Sequence, residues 1–192
     1  DLLFTNPPFG SKITVTDPTI LEKYDLGHSW SYDESIDRWI QTSQVQKSQP
    51  PEILFIERCV KFLKPGTGRA AIVLPDGILG SPGLGYVREW ILRNTRVLAS
   101  IDLHADTFQP FVSIQTSILV LERKSEDLRI VEDAARKLND YPVFMAVANI
   151  KGDNINQAMQ KAKSESVDAW TEYQAARIKL HVDENGLSTL HL

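Results

Sequence analysis

With 192 residues, 42% of them hydrophobic and 24% charged, the chain has material for one good core and at most about a domain and a half. A single cysteine, Cys59, excludes a disulfide framework, and no apolar run reaches membrane-spanning length. The 21 basic and 25 acidic side chains leave a net charge of −4, which argues against this segment alone gripping DNA through its phosphates.

Asp1 to Gly10 reads as a strand stopped by its own sequence. Leu2 to Thr5 is short, apolar and bounded, the pattern of a buried parallel strand. Pro7 and Pro8 have no N–H to give a ladder, so the backbone must leave the sheet at Asn6. Asn6 and Phe9 are therefore expected at the carboxyl edge of a sheet, where open α/β folds hold their ligands. A Pro-Pro turn that merely ends a strand is the plainer alternative.

Asn6-Pro7-Pro8-Phe9 resembles the catalytic motif of S-adenosylmethionine-dependent amino-methyltransferases. With Gly10 it is most similar to the modification subunit of type I restriction enzymes, which methylates adenine N6 in DNA. The residues suit that chemistry. An exocyclic amine is a weak nucleophile because its lone pair is delocalised into the ring. The Asn6 side-chain oxygen and the Pro7 carbonyl can accept its two hydrogens, favouring a pyramidal nitrogen. Phe9 offers a flat face to a base turned out of the duplex. The sulfonium methyl is already activated, so positioning supplies much of the catalysis and no metal is expected. The resemblance implies that Asn6 and Pro8 also face the cofactor.

Ser11 to Pro50 is polar, bears aromatics and lacks clear periodicity, so it reads as a long insertion rather than core. Its Trp30, Tyr32 and Trp39 are either substrate contacts or packing that ties the loop down, and packing is favoured. From Pro51, the spacing of Ile53, Ile56, Val60 and Leu63, with Phe55, Cys59 and Phe62 beside them, predicts a mostly buried helix that Lys64-Pro65-Gly66 stops. Cys59 is read as a buried thiol in a reducing compartment. Gly66-Thr67-Gly68 follows a helix and leads into a strand, the reverse of a dinucleotide-binding order, and is read as a helix-ending turn.

Arg69 to Leu74 reads as a central strand with Pro75-Asp76-Gly77 at its carboxyl end, placing Asp76 on the same edge as Asn6. Asp76 is either a contact in the substrate cleft or a turn or helix cap. Ser81-Pro82 opens a helix running through Trp90 and Arg93, with Leu84, Val87 and Ile91 inward. Val97 to Leu103 is a further strand. His104 follows it, but methyl transfer to a weakly basic amine needs no acid or base there. No helical pattern separates this strand from Ser117 to Leu121, so the two are expected to pair antiparallel. In the family that the motif resembles, an aromatic at the start of this hairpin sandwiches the flipped base. Phe108 matches that position best, Phe111 is the alternative, and closing the core is the plainer role for either.

Leu128, Val131, Ala135 and Leu138 predict a surface helix, and Val143 to Ala148 an outer strand or extended arm. Helices are expected over about 154–163 and 167–179, and a small hairpin around Asn185-Gly186 or a frayed end after His181.

The expected fold is α/β: the carboxyl-terminal half of a Rossmann-like methyltransferase sheet with an antiparallel edge hairpin, followed by a helical extension. The domains expected are 1–148, the target-side catalytic half with its 11–50 insertion, and 149–192, the extension. The resemblance covers about Asp1 to Ala148. It is specific at Asn6 to Gly10 and supported at Leu63-Lys64-Pro65-Gly66, Gly68 to Gly77 and Thr107-Phe108. It implies S-adenosylmethionine as cofactor, duplex DNA with a flipped adenine as substrate, specificity and restriction subunits as partners, and the cytoplasm as location. A homodimer is a further partner reading. The glycine-rich cofactor loop and the acidic ribose ligand are missing, so the chain reads as a fragment that is inactive by itself. Methylation of a glutamine amide or an RNA base amine, and a non-catalytic interaction module, stand as alternatives.

Overall fold

The computed structural model describes residues 1–9, 14–104, 107–108 and 114–148, and the backbone of 179–182 and 188–191. Strands β1 (Leu2–Thr5), β4 (Arg69–Pro75), β5 (Thr95–Asp102), β6 (Thr116–Arg123) and β7 (Phe144–Val147) form one sheet in the order β1-β4-β6-β5-β7. β1 and β4 are parallel, with Leu2 opposite Arg69 and Thr5 opposite Ile72, and β5 and β7 are parallel, with Ala99 opposite Phe144. β5 and β6 form the expected antiparallel hairpin, begun by a Leu103 N–H to Thr116 carbonyl bond of 2.9 Å. The contacts divide the chain into two compact units, Asp1–Leu98 with Leu119–Pro142, and Ala99–Ile118 with Val143–Leu192.

In the first unit the core lies on one face of β1, β4 and β6. Ala70, Ile72, Leu74, Leu119 and Leu121 meet Ile53, Ile56, Cys59 and Val60 of α2 (Pro51–Phe62), Ile78 of α3 (Asp76–Gly80), and Val87, Trp90 and Ile91 of α4 (Gly85–Asn94). Burial holds the Cys59 thiol above its ordinary pKa. The expected buried character of β1 is corrected. Leu3 packs on the core, but Leu2 and Phe4 are 72% and 76% exposed, because β1 ends the sheet order and those side chains share the face turned away from the core. Gly66 takes φ +82° between α2 and β4, the helix-ending turn expected there.

The insertion differs more from expectation. It holds a short helix, α1 (Pro18–Leu21), a 3₁₀ turn at Asp25–Gly27, and an antiparallel hairpin of β2 (His28–Asp33) and β3 (Arg38–Val45). Leu21 and Leu26 are fully buried and Leu26 joins the main core, so this segment supplies part of it. The aromatics pack, as favoured: Trp30 stacks on Tyr86 at 6.2 Å, Trp39 meets Tyr86 at 6.1 Å, and Tyr32 sits edge-on to Trp39. A Cβ on Gly85 would come within 2.7 Å of Trp39 Nε1, so only glycine lets the hairpin settle on α4.

What fastens the insertion is Glu57, fully buried on α2. Its carboxylate accepts the Asp25 and Leu26 backbone N–H groups at 2.9 and 2.8 Å and pairs with Lys61 at 2.5 Å. Trp90 Nε1 donates to Asp25 Oδ2 at 3.0 Å, extending the tie to α4. A second buried pair, Lys124 with Glu132 at 2.5 Å, closes the end of β6 against α5 (Glu126–Ala135), with Lys124 also donating to the Leu92 carbonyl and Asn139 N–H to Glu132. Ser125 caps α5, the expected surface helix.

In the second unit β7 settles the open reading of Val143 to Ala148 as an outer strand, and Asp102 accepts the Ala148 N–H at 2.8 Å. β8 (Lys179–Val182) and β9 (Ser188–His191) are antiparallel, the small hairpin of the two readings of this end. The helices expected over 154–163 and 167–179 fall almost entirely on residues outside those described, and Lys179 begins β8. Among the described residues no helix is long and apolar enough to cross a membrane.

Removing the Glu57 carboxylate strands one buried and one partly buried N–H group, Leu26 and Asp25, worth up to about 1–3 kcal/mol each. Glu57→Ala is expected to lower unfolding free energy by roughly 2–4 kcal/mol in urea titrations. Glu57→Gln should recover little of it, since its amide presents a donor where an acceptor is needed.

Candidate functional site

The parallel β1/β4 pair decides where the Asn-Pro-Pro-Phe residues fall. β1 ends at Thr5 beside Ile72, and β4 continues to Pro75, so both strands discharge at one edge. Asn6 stands exposed immediately past β1, Pro7 is buried beneath it, Pro8 is exposed and Phe9 is half-buried. Asn6 is thus a polar side chain open to solvent beside a buried proline. Asp76 is at the same edge in the same unit, not as the helix cap but as the first residue of α3, with Pro75 in the cap position. The 3₁₀ turn Pro82–Leu84 then leads into α4, so the helix expected from Ser81-Pro82 begins only at Gly85.

α2 completes the edge. It links two parallel neighbours and so runs against them. The Arg69 N–H bonds to the Asp1 carbonyl at 3.0 Å at the amino edge, where the turn after α2 ends. Twelve helical residues rise about 18 Å, and the seven of β4 span about 23 Å. The first turn of α2 therefore lies toward the carboxyl edge. There Glu52 presents a buried Oε2 with no hydrogen-bond partner, and burial raises its carboxyl above the ordinary value. The sequence reading passed over Glu52 as one more helical residue. Its spacing from Ile56 and Cys59, four and seven residues on, was the available signal.

Phe108 is half-buried in the second unit, as is His104, whose carbonyl accepts the Thr107 N–H and hydroxyl at 2.9 and 2.6 Å. Phe111 lies outside the described residues. Among the described residues no group of His, Cys, Asp or Glu is arranged to hold a metal ion. A groove of about 640 Å³ follows the outward side of α2, bordered by Ile20, Phe55, Phe62, Lys23 and Arg58, and none of Asn6, Pro7, Pro8, Phe9 or Asp76 borders it.

The fold is that of the Rossmann-like S-adenosylmethionine-dependent methyltransferases. Two solved structures share it. One is described as a candidate class I S-adenosylmethionine-dependent methyltransferase of Listeria monocytogenes: TM-score 0.55, 20% identity, 84% of this chain and 41% of that chain covered. The other is a modification subunit of a candidate type I restriction enzyme from Vibrio vulnificus: TM-score 0.52, 20% identity, 98% of this chain and 36% of that one. At these identities what is shared is the fold, and this chain spans about two fifths of the length of either structure. A family described as a domain of unknown function (DUF4337) matches residues 142–192. No curated protein matches the sequence.

The raised Glu52 carboxyl has a stability consequence of definite sign. A group whose folded pKa exceeds its unfolded value stabilises the fold below the ordinary value of 4.5, and that contribution is lost as pH rises through the raised value. Glu52→Gln is thus expected to be more stable than the parent at pH 7, with the difference vanishing below about pH 4.5. Urea unfolding at pH 7 and pH 4 measures it.

Proposed function

We propose that the chain is the target-side half of an adenine-specific DNA methyltransferase, the modification subunit of a type I restriction-modification system. The observation that carries the reading is Asn6, exposed at the carboxyl edge of a parallel strand pair with Pro7 buried under it, in a methyltransferase fold. Asn6 Oδ1 and the Pro7 carbonyl accept the two hydrogens of the adenine amino group, and Phe9 stacks on the base. Asp76 borders the cleft.

S-adenosylmethionine, when bound, supplies a sulfonium-activated methyl group. Asn6 and Pro8 face it. Its methionine end needs a glycine-rich turn between a strand and a helix, whereas Gly66 to Gly68 lies between α2 and β4, at the amino edge. This reading therefore assigns that turn to a segment outside the present sequence. Residues 1–148 form the catalytic half, and 149–192 the extension leading toward partner subunits. With a net charge of −4, the grip on duplex DNA falls to other regions and to the specificity subunit.

The test is methyl transfer from labelled S-adenosylmethionine by the complete subunit with its specificity partner, offering duplex DNA, structured RNA and protein in parallel. Label recovered from DNA as N6-methyladenine is expected; label only in RNA or protein would reassign the substrate. Asn6→Ala should lower kcat by about a hundredfold or more, the scale set by removing one preorganised hydrogen-bonding group. Its affinity for S-adenosylhomocysteine should stay near the parent's. The 192-residue chain alone should show no turnover.

A further inference from the structure

Two exposed patches of the first unit complement one another, and the groove along α2 is the first of them. Phe55, Arg58 and Phe62 stand at i, i+3 and i+7, so they form one seam about 10 Å long on the outward side of the helix. Phe62 is 64% exposed, and Ile20 of α1 borders the same groove. The Arg58 guanidinium lies over the Phe62 ring at 4.5 Å, which leaves its in-plane N–H groups for an acceptor. Lys23 is the second cation of the lining, and among the described residues no acidic side chain borders the groove. In a chain of net charge −4 this is an apolar slot with a positive rim.

The second patch is the outward side of α5. Glu132, buried against Lys124, fixes the inward side of this helix. Outward, Asp127, Ile130, Val131 and Ala134 stand at i, i+3, i+4 and i+7, again a seam of about 10 Å, and Asp133 flanks it. Ile130 and Val131 are 65% and 60% exposed, where a surface helix ordinarily places polar residues. Arg129, the cation of α5, is already engaged by Glu126 at 3.1 Å. The helix therefore offers an apolar pair between carboxylates, the charge opposite to that of the groove.

We propose that the groove along α2 receives α5 from a second copy of this chain. Ile130 and Val131 enter between Phe55, Phe62 and Ile20, and Asp127 and Asp133 meet Arg58 and Lys23 at the rim. Seams of equal length let the two helices pack side by side. Like patches repel, so the contact joins unlike ones, and two copies that reciprocate it fill both grooves. A ten-residue helix covers little area, which makes the association weak and dependent on its charges. Nothing in this contact depends on the reaction assigned to Asn6.

The test is sedimentation equilibrium of the complete protein over a concentration series, for the parent and two charge-reversed variants. One carries Lys23→Glu with Arg58→Glu in the groove, the other Asp127→Lys with Asp133→Lys on α5. All four side chains are exposed, so the fold is expected to persist in both. The parent should self-associate, and either variant alone should do so at least about a hundredfold more weakly, because like charges then face one another. Mixed one to one, the two variants should associate as the parent does, since each groove again meets a helix of opposite charge. A parent that stays monomeric overturns the inference and leaves the groove to a different partner. Self-association that survives either reversal, or a mixture that fails to restore it, overturns it equally.

Discussion

A buried carboxylate in the middle of a helix fixes most of what surrounds it. Glu57 has no exposed surface, and ionised groups in such places persist only when donors surround them. Its donors are the N–H groups of Asp25 and Leu26, more than thirty residues earlier, and the Lys61 ammonium one turn on. Satisfying Glu57 therefore requires the insertion to turn back onto α2 at Asp25–Gly27. Once it does, Leu26 enters the core, Trp30 Nε1 reaches the Asp25 carbonyl at 3.1 Å, and the hairpin that follows is delivered to Tyr86 and α4. A long polar segment thereby becomes a fixed flank of the fold.

That fixation matters for the carboxyl edge. Asn6 needs no mobile part to be presented: the last ladder position of β1, a buried proline and the parallel neighbour β4 determine its place. β1 is nonetheless thinly supported, with core on one side only and Leu2 and Phe4 exposed on the other. Parallel strands are ordinarily covered on both faces. The positioning of Asn6 thus rests on Leu3, Pro7 and the ladder to β4, which makes α2 and the core beneath β4 its main structural backing.

Elements with a strong period and a clear stop were legible in the sequence. α2 was readable from Ile53, Ile56, Val60 and Leu63 with proline at both ends, and the β5/β6 hairpin from two apolar runs with no helix between them. The hairpin inside the insertion was not read, although His28, Trp30 and Tyr32 alternate as a half-buried strand should. The acidic loop at Asp33 and Asp37 hid that period, and the apolar contacts of Trp30 and Trp39 lie far away in sequence, at Tyr86. The edge position of β1 was hidden because an apolar run reads the same in a buried strand and in one with an exposed face. At the site, Asn6 and Asp76 were readable on one sheet edge, because Pro7 follows β1 and Pro75 ends β4.

The two carboxylates of α2 show why satisfaction, rather than burial alone, separates a charge that holds the fold together from one that works against it. Glu57 and Glu52 are five residues apart on one helix, the first fully buried and the second partly so. Glu57 has three donors within the chain and holds it together. Glu52 has an oxygen with none, and its carboxyl is raised by burial alone, with its own backbone N–H opposing. The imbalance is sustained at a cost to the free fold, one that grows as pH rises through the raised value.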